Sequence, residues 1–198
     1  MKADDLLSLA NARHGYFMYE SGYHSDLWFD LETLCQRPAC LRPFVLELCR
    51  EITEIKPEVI CGPLIEGAFV ALVAALELQR EFVYTLRLDE STEERMFAVA
   101  YELPQALQQS VAGRRVAVVN DVISAGSAVR GTLQSLRTAG AEVVGIASLV
   151  VLGDSLFRFA EQQGIVVRTL VALPNEMWAP ATCPLCMDGI PLQKLAHH

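Results

Sequence analysis

Short runs of β-branched and apolar residues alternate with amphipathic segments along most of the chain. The runs have no polar face, which is typical of strands buried on both sides in a parallel sheet. The segments between them repeat apolar residues at helical spacing. The pattern predicts an α/β fold: a mainly parallel twisted sheet with helices on both faces. The predicted strands are 59–61, 82–88, 97–101, 116–119, 143–151 and 165–173, and the predicted helices are 4–12, 43–55, 68–78, 129–138 and 155–163.

Three segments differ from this alternation. Residues 15–30 are rich in aromatic and turn residues, which predicts a hairpin or a small lobe. Residues 68–78 are almost wholly apolar and predict a buried helix, and Pro43 is expected near the start of the helix at 43–55. Residues 89–95 form the most polar run and predict an exposed loop. Because no linker or repeat interrupts the pattern, we expect one domain over residues 1–198, with residues 1–35 contributing a hood-like lobe.

The most informative stretch spans residues 115–129. An apolar strand at 116–119 is followed by Asn120 and Asp121, then by a small-residue loop at 124–127 and a helical pattern. A strand, a tight loop and a helix start together present several backbone N–H groups to an anion, and Gly126 lets a ligand approach closely. The stretch predicts either a phosphate-binding loop with Asp121 beside it or an ordinary turn in which Ser127 caps the helix.

Composition narrows the class of protein. The chain has 198 residues, 52% of them hydrophobic, which predicts a substantial core. The net charge of −8 disfavours a broad nucleic-acid surface. No apolar run approaches the roughly 20 residues that span a bilayer, and the acidic, amphipathic N-terminus is unlike a signal peptide. Six cysteines in this context predict reduced thiols, and the expected compartment is the cytoplasm.

The stretch at 115–129 resembles the signature by which type I phosphoribosyltransferases bind 5-phosphoribosyl-1-pyrophosphate (PRPP). That signature is an apolar strand, two acids, two apolar residues and a Thr/Ser-Ala-Gly-Thr/Ser loop; here Asn120 replaces the first acid. The resemblance implies that Asp121 binds the ribose hydroxyls and that the loop binds the 5′-phosphate. The PRPP-binding residues it implies are Asn120, Asp121, Val122, Ile123, Ser124, Ala125, Gly126, Ser127 and Ala128.

Two further segments are similar to the same family. The loop after the first predicted strand resembles its pyrophosphate loop, and it consists of Gly62, Pro63, Leu64, Ile65, Glu66 and Gly67. Near the N-terminus, Gly15-x-Phe17, Ser21-Gly22-x-x-Ser25 and Asp30 resemble the hood of orotate phosphoribosyltransferases. The base-binding residues implied by this likeness are Phe17, Ser21, Gly22 and Ser25, although a packed aromatic hairpin explains the same residues.

The resemblance implies an enzyme that transfers the phosphoribosyl group of PRPP to a nucleobase, with orotate as the leading base. It also implies Mg²⁺ with PRPP, a homodimer, no membrane or nucleic-acid partner, and catalytic roles for Asp121 and Arg87. The chain departs from the orotate enzymes at several positions. Glu66 lies in the first loop, Leu88 follows Arg87 in place of lysine, and the loop at 89–95 is acidic. A non-catalytic PRPP- or nucleotide-binding protein and transfer to another base therefore stay open, with a nucleic-acid-binding regulator as a weaker option.

Residues 150–153 contain no arginine where orotate enzymes have one for the orotate carboxylate, which leaves Arg130 and Arg158 as alternatives. In the tail, Cys183 and Cys186 form a CxxC motif, which is half of a zinc site. Partners would come from Cys35 and Cys40 or from His197 and His198, and a tight turn with two reduced cysteines is the simpler interpretation. His14 and His24 flank the expected hood, where a structural, hydrogen-bonded histidine is the favoured role.

Overall fold

A six-stranded sheet and a smaller three-stranded sheet make up the β-structure of the protein. The computed structural model describes residues 3–19, 22–88 and 100–193. The strands are β1 (Arg13–Met18), β2 (His24–Trp28), β3 (Val59–Pro63), β4 (Glu81–Leu88), β5 (Ala100–Glu102), β6 (Arg115–Ile123), β7 (Glu142–Leu152), β8 (Val166–Leu173) and β9 (Met177–Trp178). The helices are α1 (Ala3–Leu9), α2 (Leu31–Leu34), α3 (Pro38–Glu54), α4 (Glu66–Leu78), α5 (Ser127–Thr138), α6 (Ser155–Gln163) and α7 (Pro184–Met187).

The larger sheet has the order β5-β4-β3-β6-β7-β8, and all its neighbours are parallel except β5 and β4. From β3 the chain first moves outward to β4, and later returns to the other side of β3 as β6. The strand order therefore reverses between β3 and β6, which is where ligands bind in open α/β sheets. The predicted fold class, a mainly parallel sheet in an α/β protein, is confirmed.

Helices cover both faces of the sheet because its strands are apolar on both sides. Along β6, Ala117 and Val119 pack into the core that contains α3 and α4. Val116 and Val118 pack into a second core on the other face, which also contains Leu133 of α5 and residues of α6. A strand alternates its side chains between the two faces, so one unbroken apolar run supplies both cores.

Helix α3 begins earlier than the pattern predicts, at Pro38, and Pro43 lies inside it. Proline at position 38 suits a first helical turn, where the N–H groups have no intrahelical acceptor. Pro43 removes one backbone hydrogen bond, but Leu41 and Phe44 on either side of it are buried and hold the first turns against the core. The prediction that the helix starts at Pro43 was wrong because tertiary packing outweighs the local signal.

Helix α4 is not buried on all sides, contrary to the prediction. Its small residues, including Ala71 and Ala74, face the core, but Phe69, Leu72 and Leu76 are exposed, Leu76 by 74%. Ile65, just before the helix, is 60% exposed as well. Spacings of four, three and four residues place these four side chains on one stripe of the helix surface. The hydropathy of the segment therefore does not show that small apolar residues face the core and large apolar residues face outward.

The smaller sheet contains the predicted hairpin, β1 and β2, which pair antiparallel. Its third strand comes from the other end of the chain, because β9 pairs with β2 through His24 and Ser25. A strand of two residues carries no readable pattern, so the sequence did not reveal that residues near 177 complete the lobe predicted for residues 1–35. We call this three-stranded sheet, with the residues 179–193 that follow β9, the hood. The single-domain organisation stays a prediction.

Two predicted elements extend beyond the described residues. The exposed loop at 89–95 lies outside them, as do residues 97–99 of the strand predicted at 97–101; the remainder forms β5. Among the described residues, no helix combines the length and apolar character that crossing a membrane requires.

Candidate active site

The two loops singled out from the sequence leave neighbouring parallel strands at one edge of the sheet. Strands β3 and β6 pair directly, with Cys61 opposite Val118. Both turns therefore lie at the carboxyl ends of adjacent strands, where the strand order reverses. The structure brings together residues 62–67 and 120–128, which are separated by more than 50 positions in the sequence.

Strand β6 runs four residues further than predicted and includes Asn120, Asp121, Val122 and Ile123. Their backbones continue the parallel ladder with β7, in which Asn120 is opposite Ser148. Because ladder hydrogen bonds use backbone groups, polar side chains at 120 and 121 do not end the strand. The consequence is that Asp121 is held rigidly in the sheet and not in a loop.

The turn after β6 is short, comprising residues 124–126, and α5 begins at Ser127. Gly126 has φ +80° and is the residue that precedes the helix, so the prediction that Ser127 caps the helix was wrong. A left-handed conformation at this point suits glycine and aims the first N–H groups of α5 out of the turn. Gly126 has no side chain with which to cap these N–H groups. Their binding to an anion stays a prediction.

The first loop is tighter than the six residues predicted for it. Gly62 and Pro63 belong to β3, and Glu66 and Gly67 already belong to α4. Only Leu64 and Ile65 form the turn, and the peptide bond between them is cis. The Leu64 N–H donates to the carbonyl of Thr85 in the adjacent strand, at 2.9 Å.

The start of α4 packs against the end part of β6 through a glycine. A Cβ atom at Gly67 would lie 1.9 Å from Oδ1 of Asn120, so only glycine fits there without displacing the Asn120 side chain. Asn120 is buried, and its amide donates to the carbonyl of Val122 at 3.2 Å. The residue that replaces the first acid of the signature therefore packs against the start of α4.

Asp121 is the most unusual charged group of the site. It is buried, and one carboxylate oxygen, Oδ2, has no hydrogen-bond partner among the described residues. Burial raises the pKa of the Asp121 carboxyl to about 7; the Val122 N–H opposes this rise and the nearby Glu66 adds to it. A buried acceptor without a partner is unfavourable for folding, which marks Asp121 as a group that a ligand donor would complete.

Two neighbours of Asp121 were not identified from the sequence. The buried hydroxyl of Ser148 donates to the Asp121 carbonyl, at 2.8 Å. The Cys35 thiol lies 4.0 Å from the carbonyl of Glu66, and burial together with Asp121 and Glu66 raises its pKa to about 11. The only sequence signal for Ser148 was its position as a polar residue inside the apolar run of β7. No sequence signal placed Cys35 near Asp121.

A comparison with known families decides the identity of this arrangement. The sequence model described as "Phosphoribosyl transferase domain" matches residues 44–164, more than half of the chain, and this range contains both loops. The chain belongs to the phosphoribosyltransferase family. The resemblance inferred from the sequence is thereby confirmed.

Individual relatives agree with this assignment. The orotate phosphoribosyltransferase of Caldanaerobacter subterraneus subsp. tengcongensis is 29% identical over 180 residues, covering 91% of this chain and 87% of that protein. The solved orotate phosphoribosyltransferase of Aeropyrum pernix has a TM-score of 0.68 and 20% identity, and the match covers 87% of this chain and 94% of the other. The adenine phosphoribosyltransferase of Rhodothermus marinus has a TM-score of 0.66 at 22% identity, with 87% and 100% covered. The fold alone therefore does not distinguish between bases.

The hood of this phosphoribosyltransferase contains the residues predicted to bind the base. Phe17 is buried and packs against Trp28, with ring centroids 5.8 Å apart. Gly22 has φ +77° in the hairpin turn, and Ser21 lies outside the described residues. Ser25 is buried, and its hydroxyl donates to Oδ1 of Asn175 at 3.0 Å. These contacts hold the hood together, and a direct role in base binding stays a prediction.

A cavity of about 320 Å³ lies between the hood and the carboxyl end of β7. Asn175 lies on its wall, and its buried Nδ2 has no hydrogen-bond partner among the described residues. Of the two arginines considered for a carboxylate, Arg158 lines the cavity, where it pairs with Asp154. Arg130 is instead placed over the ring of Phe159, at 4.1 Å. The cavity residues are Leu152, Gly153, Asp154, Ser155, Arg158, Asn175, Glu176, Met177 and Trp178.

Arg87, predicted to be catalytic, is exposed near the carboxyl end of β4, opposite Tyr101 of β5. It lies two residues beyond Thr85, which pairs with Pro63 at the end of β3. Arg87 is thus on the strand beside the first loop, at the same end of the sheet. Its role in catalysis stays a prediction.

The two cysteines of the C-terminal tail belong to a cluster of possible metal ligands. Cys183 and Cys186 lie next to His24 of the hood. The structure groups them with neither Cys35 nor Cys40, so that part of the sequence expectation was wrong, and His197 and His198 lie outside the described residues. His24 is buried and hydrogen-bonded to the Tyr16 hydroxyl at 2.6 Å, in line with the structural role favoured for it.

Proposed function

We propose that the chain transfers the 5-phosphoribosyl group of PRPP to orotate. A ring nitrogen of orotate loses its proton to solvent and forms a bond to C1 of the ribose, while the bond from C1 to the pyrophosphate oxygen breaks and pyrophosphate leaves with the electron pair. The observation that carries the proposal is the pair of loops at the strand-order reversal, where Gly67 packs against Asn120 and the adjacent Asp121 has a buried Oδ2 without a partner among the described residues. The chain that carries these loops belongs to the phosphoribosyltransferase family. The base is proposed from the relatives that are named orotate phosphoribosyltransferases.

In this proposal each turn binds one end of PRPP. The N–H groups at the start of α5 bind the 5′-phosphate, since the preceding residue Gly126 has no side chain to cap them and takes a left-handed conformation. The turn at Leu64 and Ile65 faces the pyrophosphate, with Arg87 supplying positive charge as that group leaves. Glu66 near this turn is unfavourable for a polyanion, so a counter-charge is needed there.

Asp121 accepts the ribose hydroxyls through Oδ2. This buried oxygen has no partner among the described residues, and two hydroxyl donors would satisfy it. The same oxygen chemistry fits Mg²⁺ bound together with PRPP, because hard cations prefer carboxylate and hydroxyl oxygens. When bound, Mg²⁺ neutralises charge on the leaving pyrophosphate.

The base is proposed to occupy the 320 Å³ cavity under the hood. Arg158 would face the orotate carboxylate, in place of the arginine that residues 150–153 lack. The Asn175 amide would donate to an oxygen of the base, and Ser25 would orient that amide by occupying its Oδ1. This arrangement assigns Ser25 a positioning role, without contact to the base.

The protein is further proposed to be a homodimer. The exposed apolar stripe of α4, formed by Ile65, Phe69, Leu72 and Leu76, is larger than isolated surface residues account for, and a second copy is the occupant it suits. Ile65 belongs to the first turn, so such an interface would lie next to the pyrophosphate position. The cytoplasmic location stays a prediction from the sequence.

The decisive experiment mixes the purified protein with PRPP and Mg²⁺ and supplies orotate, uracil, adenine or hypoxanthine in parallel. We expect nucleotide formation with orotate only, measured by chromatography of the products. Calorimetry with PRPP alone accompanies it. PRPP binding without product from any base would favour the non-catalytic alternative, and product from a purine would reassign the acceptor.

A variant pair tests the base pocket. Arg158→Ala should lower kcat/KM for orotate by about tenfold, the loss of about 1.4 kcal/mol expected for one exposed charge-assisted contact, and leave KM for PRPP unchanged. Arg137→Ala is the matched control. Arg137 lies in the last turn of α5 and its guanidinium donates to Gln163 at the end of α6, whereas Arg158 lies near the start of α6. Equal kinetics for both variants would exclude the pocket assignment while leaving the transfer reaction intact.

A further inference from the structure

Beyond the transfer reaction, the cluster of His24, Cys183 and Cys186 has the composition of a metal site. One ring nitrogen and two sulfur atoms lie within 4.8 Å of one another. They come from both ends of the chain: His24 is on β2, and the two cysteines flank the start of α7. Folding therefore brings together ligands that are about 160 residues apart in sequence.

The distance between two of the three ligand atoms suits a tetrahedral ion. Zinc lies about 2.3 Å from a thiolate sulfur and about 2.0 Å from an imidazole nitrogen, so two such ligands of one ion are about 3.5 Å apart. Cys186 Sγ and His24 Nδ1 are 3.5 Å apart. Cys183 is buried at the first position of a tight helical turn, and the backbone N–H groups of Leu185 and Cys186 point to its sulfur. N–H donors around a sulfur atom stabilise a thiolate and orient it as a ligand.

The surroundings complete the site. The hydroxyl of Tyr16 lies 2.6 Å from His24 Nδ1, 2.6 Å from Cys186 Sγ and 3.3 Å from Cys183 Sγ. Tyr16 is buried, and its hydroxyl is a fourth polar group next to the three ligand atoms, supplied by the opposite strand of the hairpin. Cys186 is exposed, which leaves a path by which an ion can enter.

From this geometry we infer that the protein binds one zinc ion through His24, Cys183 and Cys186, with Tyr16 beside the fourth coordination position. Two thiolates and an imidazole are soft to intermediate ligands, which select zinc over magnesium or calcium. Both thiols lose their protons to solvent when the ion binds, and no oxidant or reductant is needed.

The ion would act as a structural link within the hood. The tail beyond β9 contacts β1 at the bridge between Phe17 and Gln193, where the Gln193 N–H donates to the Tyr16 carbonyl at 2.8 Å, and through the cysteine cluster. A metal bond between β2 and the tail would fasten both ends of the chain around Met177 and Trp178, which line the proposed base cavity. Metal binding then stabilises the folded hood, because the unfolded chain offers no assembled site.

Metal analysis of the full chain tests this inference. We expect about one zinc per chain after dialysis, and a loss to near zero in Cys183→Ser, Cys186→Ser and His24→Gln. Cys40→Ser and His14→Gln are the matched controls, since both residues lie outside the cluster and should leave the zinc content unchanged. A His197→Ala/His198→Ala variant separates binding by the terminal histidines. Wild-type zinc content in the three cluster variants, or its loss in the histidine-tail variant alone, would overturn the inference.

A measurement on the wild-type chain guards against variants that fail to fold. Zinc should protect Cys183 and Cys186 from alkylation, read by peptide mass spectrometry, while the exposed Cys40 reacts equally with and without the ion. Cobalt in place of zinc should give the strong visible bands of a tetrahedral thiolate site. Equal alkylation of Cys186 in both conditions, or a disulfide between the two cysteines in the purified protein, would exclude the metal site. Since neither readout uses PRPP or a base, the result is independent of the proposed transfer activity.

Discussion

Replacement of Asp121 by asparagine should stabilise the folded protein at neutral pH while weakening PRPP binding. Asp121 is buried at the end of a central strand, and its Oδ2 has no hydrogen-bond partner among the described residues. An ionised carboxylate in this place is costly for the folded state and is favourable only when ligand hydroxyls reach it. The variant removes the charge with little change of shape.

The magnitude follows from the pKa of this carboxyl, which burial raises from 3.8 to about 7. Below 3.8 the group is protonated in both the folded and the unfolded chain, and its ionisation costs nothing. Between these values only the unfolded chain ionises, so the stability of the wild type relative to the variant falls as pH rises, and the loss is complete above 7. Three units at 1.36 kcal/mol each give at most about 4 kcal/mol, of which about 3 kcal/mol falls between pH 5 and pH 8.

Urea unfolding of both proteins at about pH 5 and about pH 8 measures this effect. The quantity of interest is the change with pH in the difference between the two unfolding free energies, because any constant effect of the asparagine amide cancels in it. Asp30→Asn is the control. Burial works against ionisation of Asp30, but hydrogen bonds from Trp28, Asn11 and Arg13 outweigh it and lower its pKa. A depressed pKa stabilises the folded state at every pH well above the unfolded value of 3.8. Asp30→Asn should therefore lose the same stability at both pH values, and its difference from the wild type should not change between them.

The reasoning fails if the difference between wild type and Asp121→Asn is the same at both pH values, or if it shrinks as pH rises. Either outcome would mean that the folded protein solvates the Asp121 carboxylate. Calorimetry should in addition show weaker PRPP binding by the variant at pH 8. Tight binding that survives the substitution would separate the buried charge from the ribose site.

One further prediction concerns the contact between Gly67 and Asn120, and another concerns the exposed apolar stripe of α4. Gly67→Ala should destabilise the protein by about 1–3 kcal/mol and weaken PRPP binding, because its Cβ would meet Asn120 Oδ1 at 1.9 Å. Adding Asn120→Ala should recover part of the lost stability. Purely additive effects of the two substitutions on the unfolding free energy in urea would refute the contact. Leu72→Glu should convert the proposed homodimer to a monomer, as measured by light scattering. Val166→Glu, which changes an exposed apolar residue of β8, should leave the mass unchanged. The same mass for both variants would exclude the α4 interface.

The central part of the site was predictable because its signals are local. The run at 116–119 needs a buried strand, Gly126 permits a left-handed turn, and a helical pattern follows at once. These three features determine where backbone N–H groups will point, whatever the rest of the chain does. Helix α6 was likewise predicted to the residue, with Gly164 in the left-handed conformation at its end.

The sequence misplaced features that depend on neighbours. Asn120 and Asp121 belong to β6 because β7 offers a continuous ladder, and α3 starts before Pro43 because Leu41 is buried against the core. The exposed stripe of α4 was hidden because small and large apolar residues look alike in a hydropathy pattern. Each error replaced a packing effect by a local propensity.

By itself the sequence determined the alternation of strands and helices, the two glycine-containing turns and the CxxC motif, since each depends on residues adjacent in the chain. Only the tertiary structure decided which groups meet. It buried Asp121 with no partner for Oδ2 among the described residues, joined β9 to the hood, and placed His24 beside Cys183. Contacts between segments that are far apart in the sequence depend on how the sheet and the hood pack. The order of residues along the chain does not show which of these segments will meet.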